Sequence, residues 1–454
     1  MATNLAKLLE LRTELDGFLS GYEQRKHLFD QVPKYDIDLV FSLWDEYLAF
    51  LDENADAEKA ERVRRAEKRV KEGQEYEETP AVHLDGGFPE KIREPIKHIY
   101  KAMNDTLNLV FPSTNIPELA ENALGDPKLW KFFVHDINHL DSDLNRQQWT
   151  VSQVYFDESV ARMRHRREEM RWFLELFNNN SEFMYGAKIE PYKMLDFIVA
   201  DELGERQKMA FFKPADLALK TALTLQNRHP QFEFALVNEL TDSLQNEIAV
   251  DAEPVAMYGN SGLAFSILYN LAKNAYKKMV AGKNTGEKMF MQVYEAPLSS
   301  VVITVGDNGT PIDLNKMKSQ VRELIKENGI ESVVFPNKEA KQRYQGWQES
   351  EYKIGDLTMK DITDVAFMAR MSGFDSDNAF SSGMGLYGLK YFVEKMGGIA
   401  MYGENFETGS PLFTCILPKK METGGVRRVL NLLSSTYNAT KLYRHGHGRV
   451  QRTA

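Results

Sequence analysis

Cysteine is almost absent from this chain, because only one of its 454 residues, Cys415, is of that type. A single cysteine excludes an internal disulfide framework and any cysteine-rich zinc module. Such sparse cysteine usage is typical of a reduced, intracellular setting. We therefore expect a cytoplasmic protein.

Apolar runs of membrane length are also missing, since no stretch of the sequence approaches 18 uncharged apolar residues. No membrane span is therefore predicted. The N-terminal residues 1–18 include Glu10, Glu14 and Asp16, so they lack the apolar core of a signal peptide.

Positive charge is not in excess, because the net charge of the chain is −10. This balance argues against a protein that coats nucleic acid, and no nucleic-acid partner is expected. The C-terminal tail at residues 421–454 differs, because Glu422 is its only acidic residue. Its basic residues are Arg427, Arg428, Lys441, Arg444, Arg449 and Arg452. This tail either contacts a phosphate-rich partner or is a solvated, frayed terminus.

The first half of the chain has the apolar periodicity of helices. Apolar residues recur at helical spacing over 5–19 and again over 36–51. Residues 55–78 are nearly all charged, which indicates an exposed helix or a flexible hinge. A second helical block is predicted from residue 116 to about 177, and residues 149–177 and 192–207 compete as its second helix.

The pattern changes at about Phe212, where strands begin to alternate with long helices. β-branched and aromatic residues mark strands at 232–240, 290–296, 300–307 and 412–418. Strands interleaved with helices indicate an α/β domain of about 200 residues.

Two asparagines mark the first motif of this region, ILYNLAKNAYKKM at residues 267–279. On a helix, Asn270 and Asn274 project from one face together with a lysine such as Lys277. Amide oxygens suit a Mg²⁺ ion that shares phosphate oxygens, and a lysine adds a point charge for the phosphate. The alternative is a pair of ordinary polar surface residues.

An aspartate at a strand end marks the second motif, VVITVGDNGTPI at residues 301–312. The carboxylate of Asp307, beside the flexible Gly309, can accept a hydrogen bond from an exocyclic amine such as that of adenine. A plain Asp-Asn-Gly turn is the alternative explanation.

Glycines mark the third motif, SSGMGLYGLKYFVEKMGGIAMYGEN at residues 381–405. Gly383 and Gly385 precede a helix, and Gly397 and Gly398 follow it. Backbone N–H groups at a glycine-rich helix N-terminus can surround phosphate oxygens. A GxG that opens an amphipathic helix, with a glycine pair and a strand behind it, is more specific than a GxG alone.

In this order and spacing the three motifs resemble the N box and the two G boxes of the GHKL ATPase superfamily, most closely those of sensor histidine kinases. The resemblance covers residues 212–418 and implies a Bergerat-type α/β sandwich that binds ATP and Mg²⁺. It implies that Asn274 holds Mg²⁺, that Asn270 and Lys277 lie near the phosphates, and that Asp307 binds the adenine amine. Gly309 would give the base room, and Gly383, Gly385 and Leu386 would close the nucleotide lid.

Two departures from the family pattern lie between the G boxes. Pro311 stands where the first G box has its second glycine, so the junction to the lid is stiffer. The lid between Asp313 and Asn378 is about 65 residues long, which exceeds the usual length. It either responds to a partner or is a tolerated surface insertion.

The stretch FFVHDINHL at residues 132–140 resembles the H box of histidine kinases, in which an acidic residue follows the phospho-acceptor histidine. An imidazole nitrogen of His135 would attack the γ-phosphate, and the carboxylate of Asp136 would take its proton. The family's proline is absent, and His139 replaces the residue that guides a hydrolytic water, which argues against phosphatase activity. Apolar residues at helical spacing would pack in the hairpin core: Phe133, Ile137, Leu140 and Leu144.

Two other interpretations of this stretch stay open. His139 is the alternative acceptor, although Leu140 gives it no acidic neighbour. His135 and His139 also form an H-D-x-x-H pair that could hold Zn²⁺, with Asp143 or His165 as a third ligand.

The sequence thus predicts an α+β multidomain protein with a helical N-terminal half. We expect a helical input region at 1–110, a dimerisation and phosphotransfer region at 111–210, a GHKL ATP-binding domain at 211–420 and the basic tail at 421–454. The expected function is that of a homodimeric, ATP-dependent histidine protein kinase, itself a phosphoprotein, that passes phosphate to an aspartate of a response regulator. A GHKL ATPase or nucleotide-gated scaffold without phosphotransfer is the alternative.

Overall fold

The fold is seen in a computed structural model whose described residues cover much of both halves of the chain. The ranges are 2–31, 37–53, 98, 101–124, 133–134, 136–138, 140–141, 144, 171, 175, 179–228, 234–237, 246–250, 255–281, 288–296, 299–307, 342, 385–404 and 411–420.

Helices form the described part of the N-terminal half, as predicted. They are α1 (Ala2–Arg25), α2 (Ile37–Glu53), α3 (Ile116–Ala123) and α4 (Glu190–Leu203), with further helical residues at 101–110, between 133 and 144, and at 179–186. α1 buries one stripe of apolar side chains, from Leu8 to Tyr22, and packs against α3 and α4. None of the helices in these ranges combines the length and apolarity needed to cross a bilayer.

α4 is the most deeply buried helix of this half, and it occupies most of the stretch predicted at 192–207. Arg12 of α1 forms an ion pair with Asp196 of α4. Burial raises the pKa of the Asp196 carboxyl, although Lys208 and Arg12 oppose the shift. α4 ends at Leu203, and the next residue, Gly204, has a φ of 66°, which glycine adopts readily. α1 and α4 are therefore joined by charge as well as by apolar packing.

The described residues from 210 onwards include eight strands. They are β1 (Ala210–Phe212), β2 (Phe234–Val237), β3 (Asn246–Val250), β4 (Met257–Gly259), β5 (Met289–Ala296), β6 (Ser300–Asp307), β7 (Ile399–Glu404) and β8 (Pro411–Pro418). Six form a mixed sheet of order β2-β3-β5-β6-β8-β7, in which the first three are parallel and the later pairings are antiparallel. β1 and β4 pair separately.

Three helices cover one face of the six-stranded sheet: α5 (Pro214–Arg228), α6 (Ser261–Ala281) and α7 (Gly385–Lys395). Val301, Ile303 and Val305 of β6 pack in the core shared with these helices. Val302 alternates to the opposite face, where it packs with Ile416. The predicted α/β sandwich behind a helical half is therefore confirmed.

The hydrophobic core is continuous across residue 210, where the domain boundary is predicted. Leu11 of α1 and Ile303 of β6 belong to the same cluster of buried residues, and α4 packs directly on α6. The helical half thus packs against the helix layer of the sandwich. The domain limits themselves stay a prediction.

Candidate nucleotide and phosphotransfer site

α6 presents a line of polar side chains along one side. Ser266, Asn270 and Asn274 are each four residues apart, so they project from the same face of the helix. Ser266 and Asn270 are buried, whereas Asn274 is half-buried. The polar line therefore runs from a covered contact to a more open position within the predicted N box.

Asp136 covers the buried end of this line. The amide nitrogen of Asn270 donates to the two carboxylate oxygens of Asp136 at 3.2 and 3.3 Å and to the Ser266 carbonyl at 2.8 Å. The Ser266 hydroxyl also donates to Asp136. Asp136 and Asn270 are only 1% and 3% exposed. The predicted H box and N box thus meet in one buried hydrogen-bonded cluster.

Further contacts hold the described helical residues of the segment from 133 to 144 on this chain's own helices. The ring of Phe133 meets that of Tyr192 on α4 edge-on, with 5.7 Å between centroids. The backbone carbonyl of Leu144 accepts a hydrogen bond from the Asn227 amide of α5 at 3.0 Å. Contacts to α4, α5 and α6 therefore define where this segment lies.

The histidines themselves are not described, although Val134 and Asp136, the neighbours of His135, are. Four residues named in the acceptor and zinc interpretations lie outside the described residues: His135, His139, Asp143 and His165. The choice of acceptor and the zinc interpretation both depend on these four. In the described ranges no group of three His, Cys, Asp or Glu side chains is arranged to hold a metal ion.

Asp307 lies at the end of β6, on the side of the sheet that the helices cover. It is 2% exposed and pairs in register with Met289 of β5. Side chains alternate along a strand, so Asp307 shares a face with Val305, which packs beneath the helix layer. The predicted adenine ligand and the N-box helix are therefore on the same side of the sheet.

α7 completes the layer, as the third motif predicts. It begins at Gly385, packs against α6, and is followed by Gly397, Gly398 and β7. Its N-terminus offers backbone N–H groups of the kind that can bind phosphate. Four predicted site residues are described only by their backbone or not at all: Lys277 and Leu386 have no described side chain, and Gly309 and Gly383 lie outside the described residues.

The donor set fits a Mg²⁺-bound nucleotide. The side-chain nitrogen of Asn270 donates to Asp136 and to the Ser266 carbonyl. The side-chain oxygen of Asn270 is therefore the atom that could contact a ligand. An amide oxygen suits Mg²⁺ or one of its bound waters, and Asn274 lies one helical turn further along. Asp307 supplies a carboxylate for an amine donor. These residues could hold ATP·Mg²⁺ between α6, the end of β6 and α7.

Sequence reasoning missed the polar residues that fix the first turn of α6. Glu190 of α4 is 1% exposed, and it accepts hydrogen bonds from Lys220 at 2.9 Å, Ser261 at 2.8 Å and Lys193 at 3.2 Å. Burial raises the pKa of this carboxyl, but the two lysines and the Ser261 hydroxyl outweigh it and lower the pKa to about 2. An isolated glutamate before a proline carries no sequence signal for such burial.

Comparison with known proteins gave matches among solved structures. The chain is similar to the mycobacterial sensor histidine kinase MprB, with 14% identity, a TM-score of 0.28, and coverage of 47% of this chain and 100% of that one. It is also similar to the catalytic domain of histidine kinase ThkA, with 15% identity, a TM-score of 0.28, and coverage of 47% and 99%.

Acinetobacter baumannii histidine kinase AdeS matches over 63% of this chain and 98% of that one, with 11% identity and a TM-score of 0.27. These three structures are histidine kinases, and the three motifs of this chain resemble the same family. No family model matches the chain, and no curated protein matches its sequence.

Proposed function

We propose that this protein is an ATP-dependent protein-histidine kinase in which His135 is the phospho-acceptor. One observation carries the proposal: Asp136, the residue after His135, is hydrogen-bonded to Asn270 on the N-box helix. The predicted H box and N box, which lie far apart in the sequence, meet at this contact. It brings the residue that follows the proposed acceptor to the helix that would bind the nucleotide phosphates.

Asp136 would act as the general base. As a nitrogen of His135 forms a bond to the γ-phosphorus, the bond from phosphorus to the β–γ bridging oxygen breaks and ADP leaves. The imidazole becomes more acidic and releases its proton to the Asp136 carboxylate. Hydrogen bonds from Ser266 and Asn270 hold that carboxylate in place, so no reorientation is needed at the moment of transfer.

Asn270, Asn274 and Asp307 would hold the nucleotide. Asp307 would accept a hydrogen bond from the adenine amine, and Asn270 and Asn274 would hold Mg²⁺ through their side-chain oxygens. When bound, Mg²⁺ would supply positive charge that neutralises the phosphates. The N-terminus of α7, at Gly385, adds backbone donors for phosphate oxygens.

Further parts of the proposal concern partners. The phosphohistidine would donate its phosphoryl group to an aspartate of a response-regulator protein, and the helical half would form a homodimer. Both extend the histidine kinase resemblance to this chain. We also propose a cytoplasmic location, on the basis of the sparse cysteine usage of the chain.

The deciding experiment is incubation of the purified protein with γ-labelled ATP and Mg²⁺. We compare wild type with His135→Gln and His139→Gln. An acid-labile, alkali-stable label that is lost only in His135→Gln supports the proposal. Label that is lost only in His139→Gln moves the acceptor one helical turn. Nucleotide binding that depends on Asp307, without any label, favours the alternative of a GHKL ATPase or nucleotide-gated scaffold.

A further inference from the structure

The first turn of α6 is held by a polar cluster formed by Glu190, Lys193, Lys220, Asn260 and Ser261, here called the α4–α6 joint. Glu190 links three helices, because Lys220 belongs to α5 and Ser261 begins α6. The Asn260 side chain caps α6 by accepting from the Leu263 N–H at 3.0 Å. It also donates to the Lys193 backbone carbonyl of α4 at 3.0 Å.

Gly262 allows the two helices of the joint to touch backbone to backbone. A Cβ at this position would lie 2.3 Å from the Glu190 carbonyl oxygen and 2.4 Å from the Met194 nitrogen. Such contacts leave no space to slide α6 along α4. The rotation of α6 about its own axis is then limited by the packing of its buried apolar side chains and by the directional side-chain contacts around Ser261.

A buried carboxylate is not needed for stability alone, since apolar residues could fill the same space. Removing Glu190 from water is costly, and apolar residues of similar volume often stabilise a protein as well as a buried ion pair does. Hydrogen bonds differ from apolar packing in being directional. Glu190 directs one oxygen at Lys220 and the other at Ser261, which defines an angle between α5 and α6.

We propose that Glu190 is a positioning residue for the nucleotide site, which sets the rotation of α6 and so the direction of Asn270 and Asn274. The inference rests on the proposed binding of ATP·Mg²⁺ by α6. At the helical rise, these asparagines lie about 14 and 20 Å beyond Ser261 on one stiff element. A rotation at the first turn therefore turns both amide groups, whereas Asp307, on β6, stays where it is.

This geometry predicts a selective defect. Glu190→Met removes the directional contacts but keeps an apolar side chain of similar length. We expect it to fold, to weaken ATP binding about tenfold in the presence of Mg²⁺, and to change ATP binding less than about twofold in EDTA. The matched control is Glu202→Gln, an exposed carboxylate on the same helix, which should leave both affinities unchanged.

The experiment is isothermal titration of full-length protein with ATP, with Mg²⁺ or with EDTA, alongside thermal unfolding. Asn274→Ala, alone and combined with Glu190→Met, tests whether the two residues act together. We expect the loss caused by Asn274→Ala to be much smaller in the Glu190→Met background, because the amide is already misdirected. Additive losses, or equal losses with Mg²⁺ and with EDTA, would overturn the inference in favour of a merely structural role.

Ser261→Ala keeps the test decisive if Glu190→Met does not fold. It removes the contact to α6 and leaves the Glu190–Lys220 pair intact. A Mg²⁺-dependent loss of affinity in this variant supports the inference, and unchanged affinity overturns it. The proposed function is tested separately in the wild-type protein. It fails if wild type binds no ATP·Mg²⁺ or forms no phosphohistidine. Wild type that binds but forms no label removes the kinase proposal and leaves the positioning role intact.

Discussion

Asn270 donates hydrogen bonds to the carboxylate of Asp136, a residue 134 positions earlier in the chain. The two residues come from helices that the sequence assigns to different regions. Their contact means that the base candidate lies against the helix proposed to bind the nucleotide phosphates within one chain.

Asp136→Asn should lower the rate of autophosphorylation about 100-fold or more, because the carboxylate that accepts the proton is lost. Binding of ATP should change much less than the rate, since Asp136 reaches the nucleotide only through Asn270 in the proposed mechanism. The measurement is the initial rate of labelling at saturating ATP, together with ATP affinity. Asp141→Asn is the control, because this aspartate lies on the same segment and pairs with Lys188 at the surface. Full labelling by Asp136→Asn would contradict the assignment of the base.

The contact between Asp136 and Asn270 also predicts that transfer occurs within one chain. Mixed dimers of His135→Gln and Asn274→Ala should therefore not regain labelling. In a mixed dimer neither chain contains both an acceptor and an intact nucleotide site. The test is to co-purify the two variants with different tags and compare their labelling with that of each variant alone. Recovery towards half of the wild-type level would show that transfer occurs between chains.

Asp307→Asn should weaken ATP binding about 10- to 100-fold, the usual range for loss of a hydrogen bond to a charged group. The carboxylate would accept from the adenine amine, and guanine presents an oxygen at the corresponding ring position. GTP should therefore bind weakly to wild type and be little affected by the substitution. Competition of ATP and GTP against a fluorescent nucleotide measures both. An equal loss for the two nucleotides would place Asp307 outside base recognition.

The pKa of Glu190 predicts how stability depends on pH. Its folded value of about 2 lies below the unfolded value of 4.5, so its contribution is fully present above pH 4.5 and is lost as pH falls towards 2. A shift of this size corresponds to about 3 kcal/mol. The free energy of unfolding of wild type should therefore exceed that of Glu190→Gln at neutral pH, and the difference should shrink on acidification. A difference that grows as pH falls would contradict this sign.

Gly262→Ala should destabilise the protein by about 1–3 kcal/mol, since the new Cβ meets backbone atoms that cannot move independently. Gly17→Ala is the matched control on α1, where a Cβ would meet nothing within 4 Å. Alanine is the better helix former, so this control should stabilise by up to about 1 kcal/mol. Thermal unfolding of the two variants measures the contrast. Equal effects would mean that α4 and α6 are not in close backbone contact.

Local patterns were sufficient to predict most elements of the fold. Apolar residues at helical spacing predicted α1 and α2, and β-branched runs predicted β5, β6 and β8. The glycines of the third motif predicted α7 and the turn behind it. Each of these signals lies within about 20 residues, and local propensity and burial of one face act over that distance. The short strands β1, β3 and β4 were missed, because three to five residues carry too little periodicity.

Only the tertiary structure decided which of these elements meet. Residue types together with the family resemblance indicated that Asp136, Asn270 and Asp307 carry chemistry, because carboxylates and amides suit a nucleotide and its Mg²⁺. Nothing in the sequence placed Asp136 against Asn270, or Glu190 against Lys220 and Ser261. Such contacts depend on how helices far apart in the chain pack on a common core, where burial forces each polar group to find a partner.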